Sequence, residues 1–423
     1  MDKRELDFVD EYYTNVDLAL LKKLTLIVPT YDRNYYLSRC LWYHAHFPFG
    51  QIIVADSSPE NKKVVNRETV KKIQEIFGAN VLYLKYEPEI DLFGGDIYDK
   101  WADAVLHADK EYTLICADRE FLFPETLINC ISYLSIHQDF GFICGQKYYI
   151  KDSGTNDRKR YMLQPRNARK SNEISNDPCE RYIHSINNPP LQNSLLLNIG
   201  KTSILQKMYS AYLASNINDI RYGEYFIGFL GHLHAKSEYC SHYSFKIRDN
   251  IDFDKHVGNY TFQKKSSESS YSRYPYFHQY STMVEGEQFK QEFITSIEEE
   301  FEKLGFTIDT DFIRKNIVSE EHLISHDVGK PDNKTKKGYI IVYNHLVKLK
   351  AIRMMWNNLP KFLKDTIQNI GWVVLHVQIP NKFIPLDLKI PDTPDFKIIV
   401  NIIDKTYKNH VTDTAISFYP KEW

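Results

Sequence analysis

The sequence has no excess of charge of either sign. Its 423 residues carry 53 Lys and Arg against 55 Asp and Glu, which gives a formal net charge of −2. Proteins that bind nucleic acid mainly through charge need a large positive excess or a basic stripe. The balance therefore excludes nucleic acid as the main partner. With 43% hydrophobic residues, the composition is also far from that of disordered proteins.

Paired cysteines are absent. The six cysteines include no CxxC pair, so the sequence predicts neither a disulfide framework nor a zinc site. Cys116 and Cys144 lie in apolar stretches. That placement is typical of buried thiols in a reducing compartment.

Long apolar runs are absent as well. Residues 1–10 are charged and have no apolar stretch of signal-peptide length behind them. No run in the sequence reaches the roughly 18 apolar residues of a membrane helix. The sequence therefore predicts a cytoplasmic protein, with attachment at the inner face of a membrane as the further expectation.

Glycine is scarce, at 17 residues, and a glycine-rich phosphate loop is missing. Residues 200–203, Gly-Lys-Thr-Ser, end like a P-loop, but the position that needs the motif's first glycine is Leu195. An ATPase of that class is therefore excluded. Aromatic residues are abundant instead, with 30 Tyr and 24 Phe.

An alternation of strand and helix patterns fills residues 1–150. Short apolar runs typical of buried strands span 24–29, 51–55, 81–86 and 112–117. Stretches with apolar residues at helical spacing separate them, such as Leu37, Leu41 and Ala45. Strands that are apolar on both faces form a parallel sheet covered on two sides. We therefore predict an α/β fold with a Rossmann-like, mostly parallel sheet flanked by helices.

Polar residues follow three of these strands at the point where each strand ends. Residues 30–33 follow the first strand, Asp56 ends the second and residues 118–120 follow the fourth. In parallel α/β sheets, ligands bind at the carboxyl ends of the strands. The sequence thus predicts one ligand site built from these three segments.

A family resemblance rests on three segments in order: LTLIVPTYDRNYYL, QIIVADSSPEN and YTLICADREFLFPETLINCISYL. Together they resemble the nucleotide-binding half of family 2 glycosyltransferases, which have the A-type fold of nucleotide-diphospho-sugar transferases. In that family the first strand ends in a Pro-Thr-Tyr-Asn-Arg-like turn, the second in an Asp-Gly-Ser-like turn and the fourth in an Asp-x-Asp motif. The resemblance covers about residues 22–150, with a weaker match near 219–240.

The resemblance implies a hexosyltransferase-like enzyme that uses a nucleotide-sugar donor such as a UDP-sugar. It places Thr30 and Tyr31 along the base, makes Asp56 an acceptor for the base and directs Lys100 towards the phosphates. The implied donor-binding residues are Pro29, Thr30, Tyr31, Arg33, Asp56, Lys100, Asp118 and Arg119. For Lys100, a solvated position on its helix is the alternative.

A divalent cation, Mn²⁺ or Mg²⁺, is the implied cofactor, because it stabilises charge on the departing diphosphate. Its implied ligands are Asp118, Glu120 and His242, and Arg248 is a further candidate at the diphosphate. The family usually has a run of aspartates where this chain has Asp-Arg-Glu. Arg119 suits phosphate oxygens and would make the cation weak or dispensable. The alternative is an ordinary surface arginine.

The second match is RYGEY at 221–225, where the family has a Glu-Asp or Gly-Glu-Asp element that opens a helix. The resemblance implies that a carboxylate here deprotonates the acceptor hydroxyl in an inverting displacement. Tyr225 replaces the aspartate, so Glu224 is the predicted base and Asp219 the reserve. The alternative is that Glu224 merely occupies the first helical turn, where negative charge is favoured.

The predicted organisation is a catalytic domain over residues 1–285, with a polar insertion at 151–181, and a C-terminal α/β or α+β region over 286–423. Acceptor binding and oligomerisation are the predicted roles of the C-terminal region. The expected partners are the nucleotide-sugar donor and a glycan or lipid-linked acceptor, as in polysaccharide biosynthesis. Peripheral membrane contact and a homo-oligomer are further expectations.

Two alternatives share the fold. A nucleotidyl- or phosphosugar transferase would usually have a Gly-rich loop with Arg and Lys after the first strand, and residues 31–34 contain no glycine. A non-catalytic relative that binds nucleotide sugars or glycans would keep the fold and carry residues 118–120 as a degenerate metal site.

Overall fold

The computed structural model describes residues 17–91, 97–152, 161–165, 172–187, 195–215, 217, 220–249, 283–311 and 384–385. These residues form an α/β fold. The strands are β1 (Leu24–Thr30), β2 (Gln51–Asp56), β3 (Val81–Lys85), β4 (Tyr112–Ile115), β5 (Glu120–Leu122), β6 (Phe140–Asp152), β7 (Tyr161–Pro165), β8 (Ile199–Lys201), β9 (Lys236–Asp249) and β10 (Ile384–Pro385). The helices are α1 (Asn34–Ala45), α2 (Glu60–Phe77), α3 (Ile97–Leu106), α4 (Pro124–Ile136), α5 (Pro178–Asn187), α6 (Thr202–Ala214), α7 (Ile220–His234) and α8 (Met283–Lys303).

The first four strands form a parallel sheet in the order β3-β2-β1-β4. Ile27 of β1 lies beside Ile53 of β2 and Ile115 of β4, and all three are buried. β-branched side chains suit strands that are packed on both faces. The predicted fold class is confirmed, and each of the four predicted strands is present.

Local sequence sets the ends of the connecting helices. Helix α2 stops at Gly78, which has a φ of 64°, a left-handed conformation that glycine adopts without steric cost. Helix α4 starts at Pro124, whose fixed φ suits the first helical position. The chain enters β3 shortly after α2 ends, and α4 follows β5.

The second half of the sheet is mixed. β8 is antiparallel to β4 and β6, β7 is antiparallel to β6, and β9 runs parallel to β6. The short strand β5 pairs antiparallel with β9. This last pairing matters for function, because β5 begins at Glu120 and β9 carries the late candidates His242 and Arg248.

Helix α8 packs against α7. The ring of Phe301 lies 5.3 Å from that of Phe229, which also contacts Tyr182 at 4.6 Å. The predicted domain boundary at 285/286 therefore falls within a helix whose later part packs on the α/β half. The described elements all belong to one compact unit, Met1–Ile317 with Ile384–Trp423. Of the predicted C-terminal region, only 286–311 and 384–385 lie within the described residues.

Cys116 and Cys144 are buried, as the apolar stretches in which they lie predict. Within the described ranges, no helix combines the length and the apolar character that a membrane span requires.

His232 on α7 gives the fold a dependence on pH. It is 1% exposed, and neither ring nitrogen has a hydrogen-bond partner in the part of the chain that the structure describes. Burial, with smaller effects from Arg181 and His184, lowers its pKa from 6.5 to about 3. As the pH falls below 6.5, His232 therefore binds a proton in the unfolded chain but stays neutral in the folded chain. Stability is lost in this window, by about 2 kcal/mol at pH 5 for one such group.

We expect His232→Leu to remove this contribution. Urea unfolding at pH 7 and pH 5 should show a smaller loss of stability on acidification than in the wild type. His107→Gln, at an exposed position after α3, is the matched control and should keep the wild-type loss. Equal losses in the His232 variant and the wild type would contradict the assignment.

Candidate active site

The carboxylate of Asp118 joins two of the predicted segments. Thr30, the last residue of β1, donates from Oγ1 to Asp118 Oδ2 at 2.9 Å, and Arg33 Nη1 lies 3.4 Å from Asp118 Oδ1. The Asp118 side chain is 3% exposed and that of Arg33 is 36% exposed. Because β1 and β4 are parallel neighbours, their carboxyl ends reach the same edge of the sheet. The structure thus brings Thr30, Arg33 and Asp118 together.

Asp56 is held from inside the protein. Its carboxylate accepts from the Ser58 backbone N–H at 2.8 Å, from Asn66 Nδ2 at 2.7 Å and from the Tyr83 hydroxyl. Burial and this carboxylate raise the pKa of Tyr83, which keeps its hydroxyl a donor. The contacts of Asp56 fix the turn after β2, and its role towards a base stays a prediction.

Lys100 lies in α3 with its ammonium group against the ends of β1 and β2. It is 1% exposed, donates to Ser57 Oγ at 2.7 Å and to Thr30 O at 3.4 Å, and forms an ion pair with Asp91. Burial lowers the pKa of Lys100, and the charge of Asp91 opposes that shift. The solvated alternative for Lys100 is wrong, because these acceptors enclose the ammonium group.

Asp91 is a residue of this cluster that sequence reasoning missed. It ends the 3-10 helix Pro88–Asp91 and accepts from both Ser57 and Lys100. Hydrophobic periodicity gives no signal for such a residue, because it lies outside the strand and helix patterns. The remaining signal is chemical, since a lysine that is buried needs a counter-charge.

The turn after β1 is fixed at Asp32, which has a φ of 52°, in a region that aspartate and asparagine enter more readily than most residues. Its N–H donates to Ser58 Oγ at 2.9 Å, and its carboxylate pairs with Lys62 at 2.9 Å. Burial, with the neighbouring carboxylates, raises the pKa of Tyr31. Tyr31 is half-buried. It lies in a turn that directly follows β1 and is joined to α2 through the Asp32–Lys62 ion pair.

Arg119 packs across the ring of Tyr36. Its guanidinium carbon lies 4.5 Å from the ring centroid, and that of Arg39 lies 5.3 Å from the same centroid. Arg119 is 9% exposed and Arg39 1%. The alternative of an ordinary surface arginine is wrong for Arg119, because cation–π packing places its charge against the start of α1.

Glu120 turns its carboxylate back to its own chain. Its Oε2 accepts from the Ala117 N–H at 3.2 Å, and the residue is 2% exposed. The β5–β9 pairing places Arg248 opposite Glu120. His242 lies six residues earlier on β9 (248 − 242), between Cys240 and Ser244, where the pairing of β9 with β6 shifts its register. The backbone thus places Arg248, rather than His242, beside Glu120; both side chains lie outside the described residues.

Glu224 is half-buried on α7. The helix begins at Ile220 and has no acidic residue in its first turn, so the first-turn alternative for Glu224 is wrong. Burial, with a contribution from the Glu224 charge, raises the pKa of Tyr209 on the neighbouring helix α6. Asp219, the reserve base, lies outside the described residues.

The described residues do not fit a divalent cation. Mg²⁺ and Mn²⁺ need several oxygen ligands with available lone pairs. Asp118 is ion-paired with Arg33, and Glu120 accepts from a backbone N–H. The part of the chain that the structure describes contains no cluster of three or more His, Cys, Asp or Glu side chains suited to a metal.

No family model and no curated protein matches this sequence. Solved structures of TarS from S. aureus are similar to it. The complex of TarS 1–349 with UDP-GlcNAc has a TM-score of 0.41 and 18% identity over 72% of each chain. The complex with UDP has a TM-score of 0.37 and 14% identity over 72% of this chain and 92% of TarS 1–349. At these values the likeness transfers neither an activity nor residue roles.

Proposed function

We propose that this chain is a glycosyltransferase that moves a sugar from a nucleotide-diphosphate donor to a hydroxyl group of a glycan or lipid-linked acceptor. One observation carries the proposal. The carboxyl ends of β1, β2 and β4 meet in one hydrogen-bonded cluster, in which Thr30 contacts both Ser57 and Asp118. The three segments of this cluster are those on which the family resemblance rests.

The cluster has the chemistry that a nucleotide diphosphate needs. Tyr31 supplies an aromatic surface for the base, and Arg33 supplies a fork of donors for phosphate oxygens. Helix α1 begins directly after Arg33 and has no side-chain cap. The positive end of its dipole adds to the charge of Arg33.

Glu224 is the proposed general base. Its carboxylate takes the proton from the acceptor hydroxyl as the hydroxyl oxygen forms a bond to the anomeric carbon. The bond between that carbon and the diphosphate oxygen breaks, and the nucleoside diphosphate leaves with the electron pair. Attack from the opposite face inverts the configuration of the sugar.

A donor screen tests the proposal. The protein is incubated with UDP-, GDP-, CDP- and ADP-sugars and a mixture of glycan and lipid-linked acceptors, and the released nucleoside diphosphate is measured by mass spectrometry. We expect release from the donors of one base, together with a product heavier than the acceptor by one sugar. Binding without release from any donor would contradict an enzymatic function.

That result would support a second candidate, a non-catalytic protein that binds nucleotide sugars or glycans. The internal bonding of Asp118 and Glu120 favours it, because a degenerate metal site would leave these carboxylates with such partners. Calorimetry with the same donors then separates a binding protein, which gives heat and no product, from an enzyme.

A further inference from the structure

We infer that Arg33 binds the diphosphate of the donor in the place that a divalent cation would take, so that nucleotide binding does not depend on a metal. The inference rests on the proposed function. It starts from the disagreement between the metal ligands that the resemblance implies and the contacts that those residues make.

Asp118 already has two partners. Arg33 lies 3.4 Å from one carboxylate oxygen, and Thr30 donates to the other at 2.9 Å. The carboxylate is 3% exposed. A cation that coordinates Asp118 would either displace the Arg33 guanidinium or lie beside it, and two positive charges at one buried carboxylate repel each other.

Glu120 supplies no second ligand in this arrangement. Its Oε2 accepts from the Ala117 N–H, and the residue is buried. Its backbone is held by the pairing of β5 with β9. Turning the carboxylate towards a cation would break its bond to the Ala117 N–H at the start of this paired segment.

The Arg33 side chain reaches from the buried carboxylate of Asp118 to the solvent. Its side chain is 36% exposed, although one end contacts a carboxylate that is 3% exposed. A guanidinium group has five N–H donors in a planar fork, so it can contact a carboxylate and a phosphate at the same time. A bridging metal ion performs the same task, because it links a carboxylate to the diphosphate and offsets the charge of both.

Lys100 does not compete for this role. Its ammonium group is 1% exposed and binds Ser57, Thr30 and Asp91. Arg33 lies at the surface of the cluster and begins the segment that leads into α1. The diphosphate is therefore expected at Arg33. Lys100 instead stabilises the buried ends of β1 and β2 through its contacts with Thr30 and Ser57.

Calorimetry with UDP, GDP, CDP and ADP tests the inference, in EDTA and again in Mn²⁺. We expect the preferred nucleotide to bind with the same affinity, within about twofold, in both conditions. Electron paramagnetic resonance of Mn²⁺ gives a second readout. The signal of free Mn²⁺ should be unchanged when the protein is added.

Arg33→Gln should lower nucleotide affinity in EDTA by at least about tenfold, because a charge-assisted contact is lost. Mn²⁺ should restore part of the affinity in this variant, since the Asp118 carboxylate has lost its counter-charge. Arg33→Lys keeps the charge and should bind with intermediate affinity. Arg67→Gln, which removes an exposed ion pair with Glu60 on α2, is the matched control and should bind like the wild type.

Three results would count against the inference. Nucleotide binding by the wild type only in the presence of Mn²⁺ would overturn it and leave the proposed function intact. Unchanged affinity in Arg33→Gln and Arg33→Lys, both shown to be folded by thermal unfolding, would also overturn it. Binding of no nucleotide in either condition would overturn the proposed function, and this inference with it.

Discussion

Glu224→Gln is expected to lower the rate of sugar transfer by about 10²- to 10⁴-fold, which is the usual contribution of a positioned general base. Glutamine keeps the size and hydrogen-bonding shape of the side chain but cannot accept the proton of the acceptor hydroxyl. Nucleotide affinity should stay within about twofold of the wild type, because the base acts on the acceptor. Single-turnover kinetics with the donor found in the screen, together with calorimetry, measures both quantities.

Glu75→Gln is the control for this variant. Glu75 lies on α2 in an exposed i, i+4 pair with Lys71, so its loss should leave transfer unchanged. If Glu224→Gln retains the full rate, Glu224 is not the base. Asp219→Asn should then produce the loss instead.

Lys100→Met is expected to lower the free energy of unfolding by about 3–5 kcal/mol, because removing one partner of a buried ion pair leaves the other charge without compensation. The charge left behind is Asp91, which also accepts from Ser57. Methionine has a volume similar to that of lysine. The loss of stability therefore comes mainly from the missing charge and not from a cavity. Urea unfolding at pH 7 measures the difference, and loss of the folded state at 25 °C would be the extreme form of the same result.

Two further variants make this prediction specific. Lys71→Met removes a lysine that is 74% exposed and should change stability by no more than about 0.5 kcal/mol. Asp91→Asn combined with Lys100→Met removes both charges and should recover part of the stability lost in the single variant. A single variant as stable as the wild type would contradict the ion pair.

The parallel half of the fold could be predicted because its signal is local. Each of β1 to β4 is a short apolar run that ends in polar or turn residues, and the helical spacing of Leu37, Leu41 and Ala45 lies within α1. Burial of these side chains drives both their local structure and their place in the core. The placement of Thr30 and Asp118 together followed from the rule that parallel strands end at one edge.

The partners of the charged residues could not be predicted in the same way. Asp91 lies in a short 3-10 turn without periodicity, and Arg119 gave no sign that it would pack on Tyr36. The β5–β9 pairing that sets Arg248 opposite Glu120 joins residues more than a hundred positions apart. Such a pairing depends on how the whole sheet is arranged, and the local sequence at neither position predicts it.

The sequence by itself determined that this chain is an α/β protein with polar residues at the ends of three buried strands, because apolar periodicity encodes burial residue by residue. Only the tertiary structure decided what those polar residues do. Asp118 meets Arg33, and Lys100 meets Asp91. Burying a charge without a partner costs free energy, and the tertiary structure determines which oppositely charged residue lies close enough to pair with it. In this fold the partner of Asp118, one of the predicted metal ligands, is Arg33.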